Sequence, residues 1–179
     1  MSDRRPWRRA AAGLGVSALL LAAMALSAAA QPPPLIEFEL EDQFEAEHSD
    51  AEVRDVVAVV IAAGRKGREH TTPWGDAVRE RLAEQLAGGA VAVVPVADLR
   101  GVPGFLKGRI RGRFPQEAGR WVLMDWKGRF AEAYALEEEA VSLLLFDAGG
   151  TLVTRLSAGP VNEASLAHLA ALVDEALAN

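Results

Sequence analysis

VVAVVIAAGRKGREHTTPW, residues Val56–Trp74, joins three kinds of sequence in one short stretch. Val56–Ala62 is an apolar, valine-rich run bounded by Asp55 and Gly64, and it reads as a buried central strand. A polar turn follows, carrying Arg65, Lys66, Arg68 and His70. Beyond the turn, Trp74, Ala77, Val78, Leu82 and Leu86 fall near one face of a helix over Trp74–Leu86, which Gly88-Gly89 ends. A central strand therefore empties into a glycine-bearing turn at the mouth of an amphipathic helix. Backbone N–H groups converge at such turns, and a helix N-terminus favours an anion.

Reading outward, Leu35–Leu40 is a short strand and Ala90–Val96 a second apolar one. Residues 98–120 are less regular, with five glycines and two prolines. Trp121–Trp126 reads as a short strand, Phe130–Leu136 as a helical stretch, and Val141–Phe146 as a strand that is apolar apart from Ser142. Asp147-Ala148-Gly149-Gly150 is a turn, and Thr151–Leu156 returns as the second arm of a hairpin. A closing helix with Asn162 as its N-cap turns Leu166, Leu169, Leu172, Val173 and Leu177 to the core. Strands alternating with helices, then a hairpin and a last helix, predict a mixed sheet covered on both faces.

The N-terminus differs from the rest. Met1–Arg9 holds four arginines against one aspartate, and residues 10–30 are almost wholly apolar and end on Ala28-Ala29-Ala30. A basic head, an apolar middle and a small-residue end make a secretory signal, with cleavage expected after Ala30 and an exported, extracytoplasmic product. The alternative is an uncleaved anchor, the one route by which this chain would meet a membrane. Arg4-Arg5 and Arg8-Arg9 are twin arginines in surroundings that fit a folded-export signal poorly. The expected organisation is a signal peptide over 1–30, a Pro-rich spacer and extension over 31–52, and one domain over 53–179. Loss of residues 1–30 removes four arginines and Asp3, taking the formal charge from −6 to −9. An acidic body argues against general nucleic-acid binding.

The chain has no cysteine. That excludes disulfide staples, thiolate metal sites and thiol catalysis together. Its three histidines, His48, His70 and His168, have no metal-ligand spacing, so no metal or other cofactor is expected.

Several motifs in this order resemble the thioredoxin-like superfamily, in its redoxin and peroxiredoxin-type branch. Val122–Leu136 is similar to that branch's strand, aspartate, glycine turn and short helix ending in a tyrosine. Val141–Gly159 is similar to its hairpin, and Val56 through Leu86 to its first strand and active-site helix. Ile61–Arg65, Val102–Phe105, Asp125 and Asp147, with the signal sequence, most resemble the exported YtfJ-like proteins. The resemblance implies an α/β, three-layer fold with a central mixed sheet flanked by helices. It also implies where chemistry is missing. Relatives place reactive cysteines where this chain has Arg65–Trp74, and a cis-proline where it has Val141. Oxidoreductase activity by the family's mechanism is excluded, because the nucleophile is absent.

Two readings of the turn stand side by side. As a site, Arg65, Lys66, Arg68, His70, Thr72 and Val141 would bind a small anion, or the carboxylate of a peptide or protein partner. As plain structure, the turn is solvated, with Thr71 or Thr72 capping the helix before Pro73. Glycines and basic residues are common at turns, and this spacing is not a phosphate-loop motif. Lys107, Arg109 and Arg111, within an Arg100–Arg113 segment free of acidic residues, would meet an acidic partner or lipid head groups, forming one basic patch if close to the Arg65 loop; as plain structure the segment is a flexible solvated excursion. Phe146–Leu152 superficially matches a phosphatase nucleophile motif, but too little chain follows it to supply the remaining groups, so it reads as a hairpin turn. The expected function is a non-redox binding or scaffold protein of the cell envelope. The competing hypothesis is a non-redox enzyme using Arg65, Lys66 and His70 on an anionic substrate.

Overall fold

A computed structural model describes residues 33–179, so the expected signal peptide lies outside the described residues. The chain runs β1 (Glu39–Glu41), β2 (Glu47–Ser49), β3 (Val57–Ala63), α1 (Thr71–Arg81), α2 (Ala83–Ala87) and β4 (Val91–Asp98). It continues α3 (Lys107–Arg111), β5 (Leu123–Asp125), α4 (Arg129–Ala133), β6 (Val141–Phe146), β7 (Leu152–Ala158) and α5 (Glu163–Ala178). Five strands form one mixed sheet in the order β5-β4-β3-β6-β7. β3, β4 and β5 are parallel, while β6 pairs antiparallel with both β3 and β7.

Every residue of β3 is buried, as a strand covered on both faces requires. Its side chains alternate between two cores. Val57, Val59, Ile61 and Ala63 meet Trp74, Val78 and Leu82 of the α1 layer and Leu166, Leu169 and Val173 of α5. Ala58, Val60 and Ala62 face the opposite core, with Phe38, Leu123, Phe130 and Tyr134. A third apolar cluster, Ala97, Val122 and Met124 with Leu99, Phe114 and Trp126 beside it, lies under the segment after β4. Pro95 is tolerated inside β4 because β5 pairs only from Val96 onward.

The structure corrects several boundaries. The short N-terminal strand covers Glu39–Glu41, not Leu35–Leu40. Residues of the N-terminal extension pack on the rest of the chain: Phe38 is buried, and the Tyr134 hydroxyl accepts from Ile36 N (2.8 Å) and donates to Pro34 O (2.9 Å). At the tip of the β1–β2 hairpin, buried Gln43 donates from Nε2 to Pro115 O and Arg120 O (both 2.8 Å) and accepts from Val122 N (2.7 Å). Helix α1 starts at Thr71, three residues early, after a 3-10 turn over Arg68–His70. Thr71 and Thr72 are inside the helix and do not cap it. Asn162 does cap α5, accepting from Ser165 N at 2.9 Å, but Leu177 is exposed rather than turned to the core.

Candidate functional site

Helix α1 is held at its mouth by Trp74, which is fully buried and donates from Nε1 to Gly159 O at 2.8 Å. The turn before it faces two ways. Toward β6 it is closed: Lys66 N and Gly67 N both donate to Glu138 O, at 3.2 and 3.1 Å. The backbones approach so closely that a Cβ on Gly67 would lie 2.6 Å from Ala140 O, and one on Gly64 would lie 3.0 Å from Glu138 Cα. The side of the turn toward Val141 is therefore filled by main chain. Val141, opposite Ala63 in the sheet, is wholly buried there.

Toward β4 the turn is open. A cavity of about 610 Å³ lies between the turn and the segment after β4. It sits beyond the carboxyl ends of the parallel strands β3 and β4, the usual ligand position in α/β sheets. Arg65, Arg68, Glu69, Thr71 and Thr72 form one wall. Asp98, Arg100 and Arg113 contribute from the other side, among the apolar Leu99, Val102, Leu106, Ile110, Phe114 and Val122. Arg100 grips the Asp98 carboxylate, with Nε at 3.0 Å from both oxygens and a third contact of 2.7 Å from its other nitrogen. Those bonds raise the Arg100 pKa further and neutralise the pair. Among the described residues Arg65, Arg68 and Arg113 make no ion pair, leaving three free guanidiniums against one further carboxylate, Glu69.

The other residues singled out from the sequence lie elsewhere. Lys66 pairs with Glu139 at 2.7 Å, a contact that raises the lysine pKa and lowers that of the glutamate. His70 has its nearest carboxylate at 3.6 Å on the adjacent Glu69 and is not a cavity residue, so no partner orients it for acid–base work. Val141 likewise does not line the cavity; it sits behind the wall residue Ala63, its partner in the sheet. Lys107 and Arg111 lie over the Trp126 ring, at 4.9 and 5.6 Å from its centre. Arg111 also binds Glu41 and, at 2.8 Å, Glu45. The basic excursion is thus strapped to the N-terminal hairpin rather than solvated, and only Arg109 of the three is fully exposed. Asp125 is buried and accepts from Phe130 N at 2.9 Å, fixing the start of α4. Asp147 closes the β6–β7 turn by accepting from Thr151 N at 2.7 Å. Among the described residues no group of three His, Asp or Glu side chains could hold a metal ion.

Asp98 carries no signal as a site residue in the sequence, whereas Arg100 belongs to the basic Arg100–Arg113 segment. The 3-10 turn and helix α3 that bring Leu106 and Ile110 to the cavity did leave a signal, since Leu106, Ile110 and Phe114 recur at four-residue spacing.

No family profile matches the sequence, and a comparison with curated proteins finds no relative. Solved structures do match. A provisionally assigned protein disulfide isomerase from Bacteroides thetaiotaomicron superposes with a TM-score of 0.60 at 14% identity, covering 83% of this chain and 91% of that one. The exposed lipoprotein thioredoxin of Streptococcus pneumoniae gives 0.57 at 17% identity, covering 78% and 99%. A hypothetical protein from Sinorhizobium meliloti gives 0.58 at 21% identity, covering 85% and 86%. The fold is thioredoxin-like. With no cysteine, this thioredoxin-like chain lacks the nucleophile for thiol–disulfide exchange.

Proposed function

We propose that this chain is an exported, non-redox ligand-binding protein of the cell envelope, related to the YtfJ-like proteins. Its site is the cavity beside β4, and its ligand is a small anion. One observation carries the reading: the turn is closed by main chain toward Val141 and opens toward β4, where Arg65 and Arg68 face a cavity of about 610 Å³ and make no ion pair among the described residues. That volume lies within the range of small-molecule sites, roughly 300–1,000 Å³. Guanidiniums already poised and unpaired suit a carboxylate or another planar oxyanion, which they grip through two parallel bonds. Export is supported by the signal-like N-terminus and by relatives such as the exposed pneumococcal lipoprotein.

The test is calorimetric titration and thermal melting of the purified protein with acetate, phosphate and larger carboxylates. At least one anion should bind and raise the melting temperature, and the paired substitutions Arg65→Gln and Arg68→Gln should remove the effect. Both side chains are exposed, so the double variant should fold normally. Binding by none of the anions, or equal binding by the double variant, overturns the proposal.

A further inference from the structure

Resting on the anion-binding reading above, we infer that the ligand is amphiphilic: a small aliphatic monocarboxylate whose chain lies in the cavity and whose head meets the free arginines. The cavity is divided in the way such a molecule is divided. Three guanidiniums that make no ion pair among the described residues, Arg65, Arg68 and Arg113, carry the sign a carboxylate needs and outnumber the one further carboxylate, Glu69. The segment after β4 supplies aliphatic surface instead, from Val102, Leu106 and Ile110. The third apolar cluster supports this surface from below, so Val122 serves both core and cavity. The 3-10 turn that carries Leu106 also carries Phe105, which is 85% exposed and adds apolar surface next to the wall.

Alternative anions fit this lining less well. An inorganic ion would use the arginines and leave the aliphatic wall wet. A peptide C-terminus would bring backbone amides that need hydrogen-bond partners, because burying an unpaired amide is costly. Among the described residues, and apart from its charged groups, the wall offers only the two threonines Thr71 and Thr72 as side-chain hydrogen-bonding groups. A hydrocarbon chain asks for no such partners. Its burial is favourable in proportion to the area removed from water.

The experiment is a chain-length series of straight-chain monocarboxylates, from acetate to decanoate, titrated into the purified protein below their micellar concentrations. Decanol and a short apolar peptide with a free C-terminus complete the set. Each buried methylene should tighten binding about fourfold until the cavity is full, after which affinity levels off. The Arg65→Gln, Arg68→Gln double variant should weaken decanoate at least about tenfold, as expected for loss of charge-assisted hydrogen bonds. Decanol should bind the parent protein correspondingly less well than decanoate. The inference fails if affinity is independent of chain length, if decanol equals decanoate, or if the peptide binds as tightly as the best fatty acid. Acetate or phosphate binding as strongly as decanoate would remove the amphiphile and leave the anion site standing. Failure of every anion would remove both.

Discussion

Two buried hydroxyls show how the same chemical group carries opposite weight at two positions. The Tyr134 hydroxyl satisfies both Ile36 N and Pro34 O, and burial pushes its pKa up to about 12 although the Ile36 bond favours the phenolate. The Ser142 hydroxyl, on the second residue of β6, is wholly buried and has no partner among the described residues. Tyr134→Phe removes one group and strands two main-chain groups, so it should destabilise the protein by about 1–3 kcal/mol. Ser142→Ala removes a desolvated group and strands nothing, so it should leave stability unchanged or raise it slightly. Urea denaturation of the two variants beside the parent checks the pair, and the reverse ranking would show that the hydroxyl partners are misassigned. The Tyr134 contribution is fully present below about pH 10, its unfolded value, and is lost as pH rises toward about 12.

The elements were legible wherever burial alone dictates them. Val141–Phe146 was read residue for residue, and β3 to within one position, because a strand covered on both faces is a continuous apolar run. The start of α1 was misread because Pro73 looks like a first helical residue. It is the third, and a proline costs nothing there, since the first four N–H groups of a helix have no intrahelical acceptor. For the candidate site, Arg65, Arg68 and Thr72 could be named from sequence, being adjacent at a recognisable helix mouth. Arg100 and Arg113 read only as members of a basic segment and Asp98 not at all, because the parallel β3–α1–β4 crossover brings them in from about thirty to fifty residues away. Nor could linear sequence show that Gly67 serves space rather than backbone freedom. Its φ of −84° suits any residue, yet a Cβ would press on Ala140 O. Gly67→Ala should therefore cost about 1–3 kcal/mol by overpacking and lengthen the bonds to Glu138 O. Gly104→Ala, where nothing lies within 4 Å of the added methyl, is the control and should be neutral or slightly stabilising. Thermal melts that fail to separate these two alanines would mean that the turn is not clamped against the Glu138–Ala140 backbone.

For the whole molecule, the N-terminal arm ties the cavity wall to the opposite edge of the sheet, and His48 makes that tie sensitive to pH. Its ring stacks on Trp121 with 4.5 Å between centres, while Nδ1 lies 2.9 Å from Glu52 and Nε2 3.3 Å from Asp42. Burial, the largest single influence, pulls the His48 pKa down, but the bonds and charges of Glu52 and Asp42 together outweigh it, and the net shift is upward from 6.5. A raised histidine pKa gives stability that is fully present below the unfolded value of 6.5 and is lost as pH rises through the folded value. The same hairpin carries Glu41 and Glu45, which grip Arg111, and Gln43, which holds Pro115 O. Loosening it therefore reaches the segment that supplies Ile110, Arg113 and Phe114 to the cavity. Stability should fall as pH rises above 6.5 through the folded value, and amide protection in the hairpin and in Lys107–Arg113, taken relative to intrinsic base-catalysed exchange, should fall together over that interval. His48→Gln keeps a polar ring substitute without the charge change and should flatten both dependences. A parent protein whose stability rises over the same interval, with a slope that His48→Gln abolishes, would reverse the sign of the linkage and remove His48 as the source of the clamp.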